Sequence, residues 1–309
     1  MAIIAHIGYP KTATSWFQNY FFPNIKNAYY IPNKEFIEFI KQNSLTFDAN
    51  YFRNMLISIT KNKLGNKKKI IISKEGIIGT THNFGINGYL TKENAIRLHE
   101  IFPSAKILLF IRKQPDIIAS SYIQYIKGGG TWGINKYLFH KSYSNINGFN
   151  LFSFEHFEYN YIIDLYTKLF GSENVKIFLY ESFAENPQKF IKDLSDILNF
   201  EIDFNKIIYK KDNPAYRKMI LLFAKILNRF TKRKMLNKYY IFHVPYLFSF
   251  SQIVLKSLNK IAIFGPYLTP EKILGKGNLN FIENYYKKSN KILVEKYGIN
   301  EILKYGYKI

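Results

Sequence analysis

Short, wholly apolar runs alternate with longer amphipathic stretches over the first two-thirds of the chain. Ile3 to Ile7, Lys69 to Ser73 (KIIIS), Lys106 to Ile111 (KILLFI) and Val175 to Leu179 (VKIFL) read as strands. None alternates apolar with polar, so each is expected to be buried on both faces, as in a parallel sheet. Helical periodicity fills the intervals at Thr14 to Phe22, Lys92 to Ile101, Asp116 to Ile126 and His156 to Phe170. Strand–helix–strand order predicts an α/β fold: a parallel β-sheet flanked by helices on both faces. The tail reads as a long helix, Leu279 to Tyr297. No internal repeat is apparent, and one domain spanning 1–309 is expected.

One region departs from this pattern. Residues 213–270 hold no Asp or Glu but ten Lys and Arg, interleaved with apolar clusters such as Met219-Ile220-Leu221-Leu222-Phe223. It reads as a basic helical lobe. Such a lobe can cap the sheet with its lysines in water, or lie against an anionic membrane.

Composition narrows the function. The 309 residues are 47% hydrophobic and 18% aromatic, which excludes disorder. A chain of this length buries about 75% of its unfolded surface, so it needs no covalent staple. There is no cysteine, which excludes disulfides, Cys-ligated metal and a thiol nucleophile. Lys+Arg is 44 against Asp+Glu 22, a net charge of +22. That charge favours polyanionic partners, although a coding bias toward Lys, Asn, Ile and Tyr would contribute to it. The N-terminus has no basic segment ahead of its apolar run, so no secretory signal is expected. The longest apolar stretch, Tyr239 to Leu255, contains His243, Pro245, two serines and Gln252 and makes a poor span. A cytoplasmic location, with possible peripheral contact at the inner membrane face through 213–270, is the expectation.

The densest chemistry follows the first strand, in Gly8-Tyr9-Pro10-Lys11-Thr12-Ala13-Thr14-Ser15-Trp16. A strand stops, a tight turn follows, and hydroxyl residues open a helix. Unpaired backbone N–H groups at such a helix start suit an anion, and Lys11 adds a cation. The spacing is not the GxxxxGK[ST] of nucleotide P-loops. A second strand–loop–helix, Arg112-Lys113-Gln114-Pro115 running to Ser120, puts an arginine at the carboxyl end of a buried strand, where open α/β sheets bind ligands. A guanidinium and a hydroxyl there suit a terminal phosphate.

The first segment resembles the YPKSGTTW loop of sulfotransferases that use 3′-phosphoadenosine 5′-phosphosulfate (PAPS), with Ala13 where glycine is usual. A methyl group there is tolerable if the backbone is already helical. Arg112 and Ser120 match that family's arginine and serine eight residues apart. Tyr180 lies in Leu179-Tyr180-Glu181-Ser182-Phe183-Ala184-Glu185-Asn186-Pro187, which is similar to the family's LYEDMKEDP stretch. The resemblance implies a P-loop NTPase-like sulfotransferase fold of the bacterial, carbohydrate-type kind. It implies that Tyr9 to Trp16 grip the 5′-phosphosulfate, that Arg112 and Ser120 hold the 3′-phosphate, and that Tyr180 lies at the adenine end. It also implies PAPS as co-substrate, no metal, and a glycan or glycoconjugate acceptor sulfated on a hydroxyl or amino group. The family's closing Arg-Lys-Gly element has only Lys276-Gly277 as a counterpart.

In such a reaction Lys11 neutralises charge on the leaving oxygen and a general base activates the acceptor. Glu75, just past the second strand, is the candidate base, and His82 is its rival. His6 lies within a strand and reads as a packed residue. Two other readings stay open: a P-loop kinase, disfavoured by the missing GK[ST], and a basic nucleic-acid-binding protein. For the latter no recognised module is present, so no nucleic-acid partner is expected.

Overall fold

The computed structural model describes residues 2–31, 42–61, 63–79, 88–139, 151–209, 215–231, 239 and 241–309. Five strands form one all-parallel sheet: β1 (Ala2–His6), β2 (Ala28–Ile31), β3 (Lys69–Ser73), β4 (Lys106–Ile111) and β5 (Val175–Leu179), in the order β2-β3-β1-β4-β5. Three of the four anticipated strands have the expected bounds, and the first is shifted by one residue. The edge strand β2 was not anticipated. Its sequence AYYI is only half-buried in the middle, so it lacks the apolar run that marks a central strand.

Alternate strand residues feed two separate cores. Ala5, Ile72, Ile107, Leu109 and Ile111 pack on one face. That face is covered by the helices α2 (Thr91–Ile101), α3 (Gln114–Lys127), α4 (Tyr159–Phe170) and α9 (Lys276–Glu295), with α1 (Ala49–Lys61) beyond. Ile4, Ile71, Leu108 and Phe110 pack on the other face, against Phe17, Phe21, Phe22 and the helices α5 (Tyr180–Glu185) and α6 (Pro187–Leu198). This two-sided burial explains why β3 and β4 carry no polar face; β5, expected to be buried on both faces, is instead an edge strand with Lys176 exposed and its middle half-buried. The segment expected as a helix over Thr14 to Phe22 is instead a single α-turn (Thr14–Trp16), a wider π-type turn (Phe17–Phe21) and a 3₁₀ turn (Phe22–Asn24). Among the described residues of the acid-free region, α7 (Lys218–Asn228) and α8 (Leu247–Leu258) pack together.

β1 lies centrally between β3 and β4, with His6 opposite Ser73 on one side and Leu108 on the other. Chain connections leave β1 and β4 in opposite directions along the sheet. The crevice beyond their carboxyl ends is therefore the switch point where open α/β sheets bind ligands.

His6 itself is core. It is fully buried, its Nδ1 is 2.7 Å from Ser73 Oγ, and its ring meets Phe22 and Phe110 edge-on. Burial lowers its pKa to about 3, and it does the same to His156. Between pH 3 and 6.5 the unfolded chain therefore binds protons that the folded chain refuses, so stability falls as pH falls through that window. Each group contributes about 1.4 kcal/mol per pH unit. Read from urea midpoints, going from pH 6.5 to 5 should remove about 3 kcal/mol through the two together, because the unfolded histidines are already half protonated at pH 6.5. A His6→Asn variant should show about half of that histidine-linked slope, and an unchanged slope would contradict this assignment.

Candidate functional site

The loop after β1 is anchored to β4 by two backbone bonds, Ile7 N–H to Leu108 O at 3.0 Å and Tyr9 N–H to Phe110 O at 3.1 Å. Gly8 lies where the loop presses on its surroundings. A Cβ there would stand 2.8 Å from Thr12 Oγ1 and 3.1 Å from Phe110 Cβ. Tyr9 is fully buried and its hydroxyl donates to His156 O at 2.6 Å. Tyr9 and the buried Pro10 thus contribute backbone to the loop, not ring edges. Thr12 folds back, its hydroxyl donating to Tyr9 O at 2.6 Å. Thr14 Oγ1 is buried without a hydrogen-bond partner, and Ser15 is exposed. Trp16 walls the loop on the α5 side, packed on Phe183 with Nε1 donating to Ile208 O at 3.0 Å.

Lys11 and Ala13 both have left-handed backbone, at φ 71° and 64°. Left-handed residues on either side of Thr12 are the backbone pattern of an anion-holding nest. Ala13 is therefore not helical, contrary to the condition under which its methyl group was tolerable. A left-handed L-residue costs about 1–2 kcal/mol. Part of that is offset by the greater unfolded-state entropy of glycine. Ala13→Gly should stabilise the fold by about 0.5–1 kcal/mol, seen as a higher urea midpoint. A lower midpoint would contradict the strain.

Arg112 leaves β4 directly beside this loop. Its Nη1 donates to Lys11 O at 3.0 Å and to Ser120 Oγ at 3.3 Å. Its guanidinium lies 4.4 Å from the centre of the Tyr180 ring, and its Nε is buried without a partner. The Tyr159 hydroxyl donates to Arg112 O, which fixes the turn. Lys11, Arg112, Ser120 and Tyr180, read from three separate segments, are thus in one cluster.

Glu75 opens the turn after β3, which is held to β1 by Lys74 N–H donating to His6 O at 3.2 Å. Burial pulls the Lys11 ammonium below the ordinary lysine range. Glu75 pushes it back up, and Arg112 pulls it further down. Glu75 is therefore close enough to the cluster for its charge to be felt. His82 lies outside the described residues. Lys276 and Gly277 open α9. The C-terminal segment approaches the Arg112 turn through Glu181: the Tyr307 hydroxyl donates to Glu181 Oε2 at 3.2 Å while Glu181 Oε1 accepts from Lys113 N–H at 2.8 Å. Burial raises the Glu181 pKa.

Two α3 residues were missed by the sequence reading. Gln124 accepts from Lys11 Nζ at 3.3 Å, and Lys127 holds its ammonium 4.6 Å from the Tyr216 ring centre. Burial, then the nearness of Lys11, lowers the Lys127 pKa to about 8. Ser120, Gln124 and Lys127 follow i, i+4, i+7 spacing and share one face of α3. That spacing was the available signal, but a lysine at the end of a helix reads as solvated. Among the described residues no group of three acidic or histidine side chains is placed to hold a metal.

No protein-family model matches the sequence, and no curated protein matches it. Among solved structures the chain is similar to a sulfotransferase from Alicyclobacillus acidocaldarius, with a TM-score of 0.50 and 17% identity over 69% of this chain and 87% of that one. A looser likeness, at a TM-score of 0.39 and 14% identity, covers 96% of this chain and 88% of mouse sulfotransferase SULT7A1 complexed with PAP. The order of the five parallel strands, the loop after β1 and the first of these likenesses together give the chain a sulfotransferase fold.

Proposed function

We propose that this chain is a sulfotransferase that takes PAPS as donor and sulfates a hydroxyl or amino group of a saccharide or glycoconjugate. The observation that carries the reading is the meeting of the two loops. Arg112 touches the carbonyl of Lys11, and two buried donors there, Arg112 Nε and Thr14 Oγ1, have no partner within the protein. Buried polar atoms are rarely left unpaired, and both of these are donors, the type a phosphate oxygen satisfies. The loop backbone with Thr12, Thr14 and Ser15 would hold the 5′-phosphosulfate. Arg112 and Ser120 would hold the 3′-phosphate, with Tyr180 supporting the guanidinium near the adenine. PAPS supplies, when bound, a sulfuryl group on a phosphate leaving group.

The residues then act by position and charge. Lys11 offsets the negative charge that grows on the leaving oxygen, and Gln124 orients its ammonium. Glu75 takes the proton of the acceptor hydroxyl. Lys127 adds positive charge on the side of the cluster next to the basic lobe. Glu75→Gln should lower turnover by about 10²-fold or more with nucleotide affinity unchanged. A variant that retains full turnover would remove Glu75 as base. We read the location as cytoplasmic, with the basic lobe toward the inner membrane face. No helix among the described residues is long and apolar enough to cross a membrane.

Calorimetric titration with 3′-phosphoadenosine 5′-phosphate (PAP), ATP and single-stranded RNA tests the reading. Preference for PAP is expected. Preference for ATP would favour a kinase, and tight, salt-sensitive RNA binding alone would favour a nucleic-acid-binding protein.

A further inference from the structure

The 213–270 lobe is amphipathic in an unusual sense, because its helices are apolar on two sides. α7 uses Ile220, Ala224 and Asn228 to dock, with Asn228 Nδ2 donating to Ile126 O and Gly130 O, both at 2.8 Å. Its opposite stripe, Met219, Leu222 and Ile226, is exposed. α8 buries Ser251 and Leu255 and exposes Phe250 (65%) and Ile253 (69%). Of 26 exposed large hydrophobic side chains among the described residues, 13 fall between 213 and 270, a concentration that solvation alone does not reward.

Tyr246 sharpens the point. It precedes α8 with left-handed backbone, φ 62°, and its side chain is 89% exposed. A non-glycine residue held in this conformation costs about 1–2 kcal/mol, and here no burial offsets it. Interleaved with the apolar stripe are Lys218, Arg229, Lys256 and Lys260, all exposed, and no acid.

We propose that this face docks on an anionic phospholipid surface. The basic residues would meet the headgroups, while Leu222, Ile226, Phe250 and Ile253 enter the interface and Tyr246 sits at headgroup depth. Charge decides between occupants of the apolar face. A second copy of the chain would bring two acid-free basic faces together and be repelled, whereas an anionic bilayer offers both the opposite charge and an apolar layer. The inference does not depend on the nucleotide site, so it stands or falls separately from the proposed activity.

The test is co-sedimentation of the full chain with phosphatidylcholine vesicles, with or without 30% phosphatidylglycerol, at about 0.1 M and 0.5 M salt. Wild type should partition at least about tenfold more strongly onto the anionic vesicles and keep measurable binding at high salt. The double variant Phe250→Ser, Ile253→Ser leaves the charge untouched. It should bind anionic vesicles about tenfold more weakly or worse, with an unchanged melting temperature confirming its fold. If that variant does not fold, Tyr246→Ser serves instead and should weaken binding severalfold. Variants that bind like wild type would overturn the proposal, because attraction would then be charge alone. Equal binding to both vesicle types would overturn it as well. So would a concentration-dependent dimer that the double variant abolishes, with no vesicle binding, or pull-down of an acidic protein partner through this face without lipid affinity.

Discussion

Lys11→Ala should lower the rate of sulfuryl transfer by roughly 10²-fold or more, while PAP still binds and the fold remains intact. The reason lies in where the ammonium is held. Lys11 is half-buried, its Nζ rests on Gln124 Oε1 at 3.3 Å, and Arg112 and Lys127 are close enough for mutual repulsion. A cation kept in such company is destabilised in the free protein. It is relieved when negative charge develops beside it, which makes its contribution larger in the transition state than in the ground state. Removing one such preorganised donor typically costs about 10²–10³ in turnover. Stability should not suffer, because the substitution removes a half-buried charge that its neighbours repel and only one long hydrogen bond. Single-turnover rates with labelled donor, beside a thermal melt, separate these effects. A Lys11→Ala enzyme with undiminished turnover would remove the lysine from the chemistry.

Arg112→Ala should act on binding. A charge-assisted contact to phosphate is worth about 1.5–3 kcal/mol, so PAP affinity should fall about 10- to 150-fold. The guanidinium also braces the first loop through Lys11 O and packs on Tyr180, so the alanine variant loses two supports together. Arg112→Lys distinguishes them. It keeps a charge but loses the fork and the planar stacking, and should recover only part of the affinity. An alanine variant with wild-type PAP affinity would contradict the assignment of the 3′-phosphate site.

Much of this arrangement was legible in the sequence because its signals are local. Runs that are apolar nearly throughout marked β3, β4 and β5 to the residue, although β5 is an edge strand with Lys176 exposed and its middle half-buried. The loop after β1 and the turn after β4 use residue types that helices and strands rarely need, so they stood out. What was not legible depends on tertiary contacts. β2 is an edge strand of mixed polarity and carries no distinguishing run. The π-type turn at Phe17–Phe21 brings Phe17 and Phe22 into the second core together, whereas α-helical spacing turns residues five apart to different faces. Ala13 read as harmless in a helix and is left-handed instead, because the loop must turn before the helix begins. Lys127 looked like a solvated residue at a helix end. Only the docking of the lobe, which lays Tyr216 against it, makes it part of the cluster.

The central claim is that one nucleotide spans the loop after β1 and the turn after β4. A crystal structure of the chain with PAP tests it most directly. It should show the 5′-phosphate held by backbone N–H groups between Lys11 and Ser15 and the 3′-phosphate on Arg112 and Ser120. PAP bound anywhere else, or with only one phosphate engaged and Arg112 still turned onto Lys11 O, would contradict it.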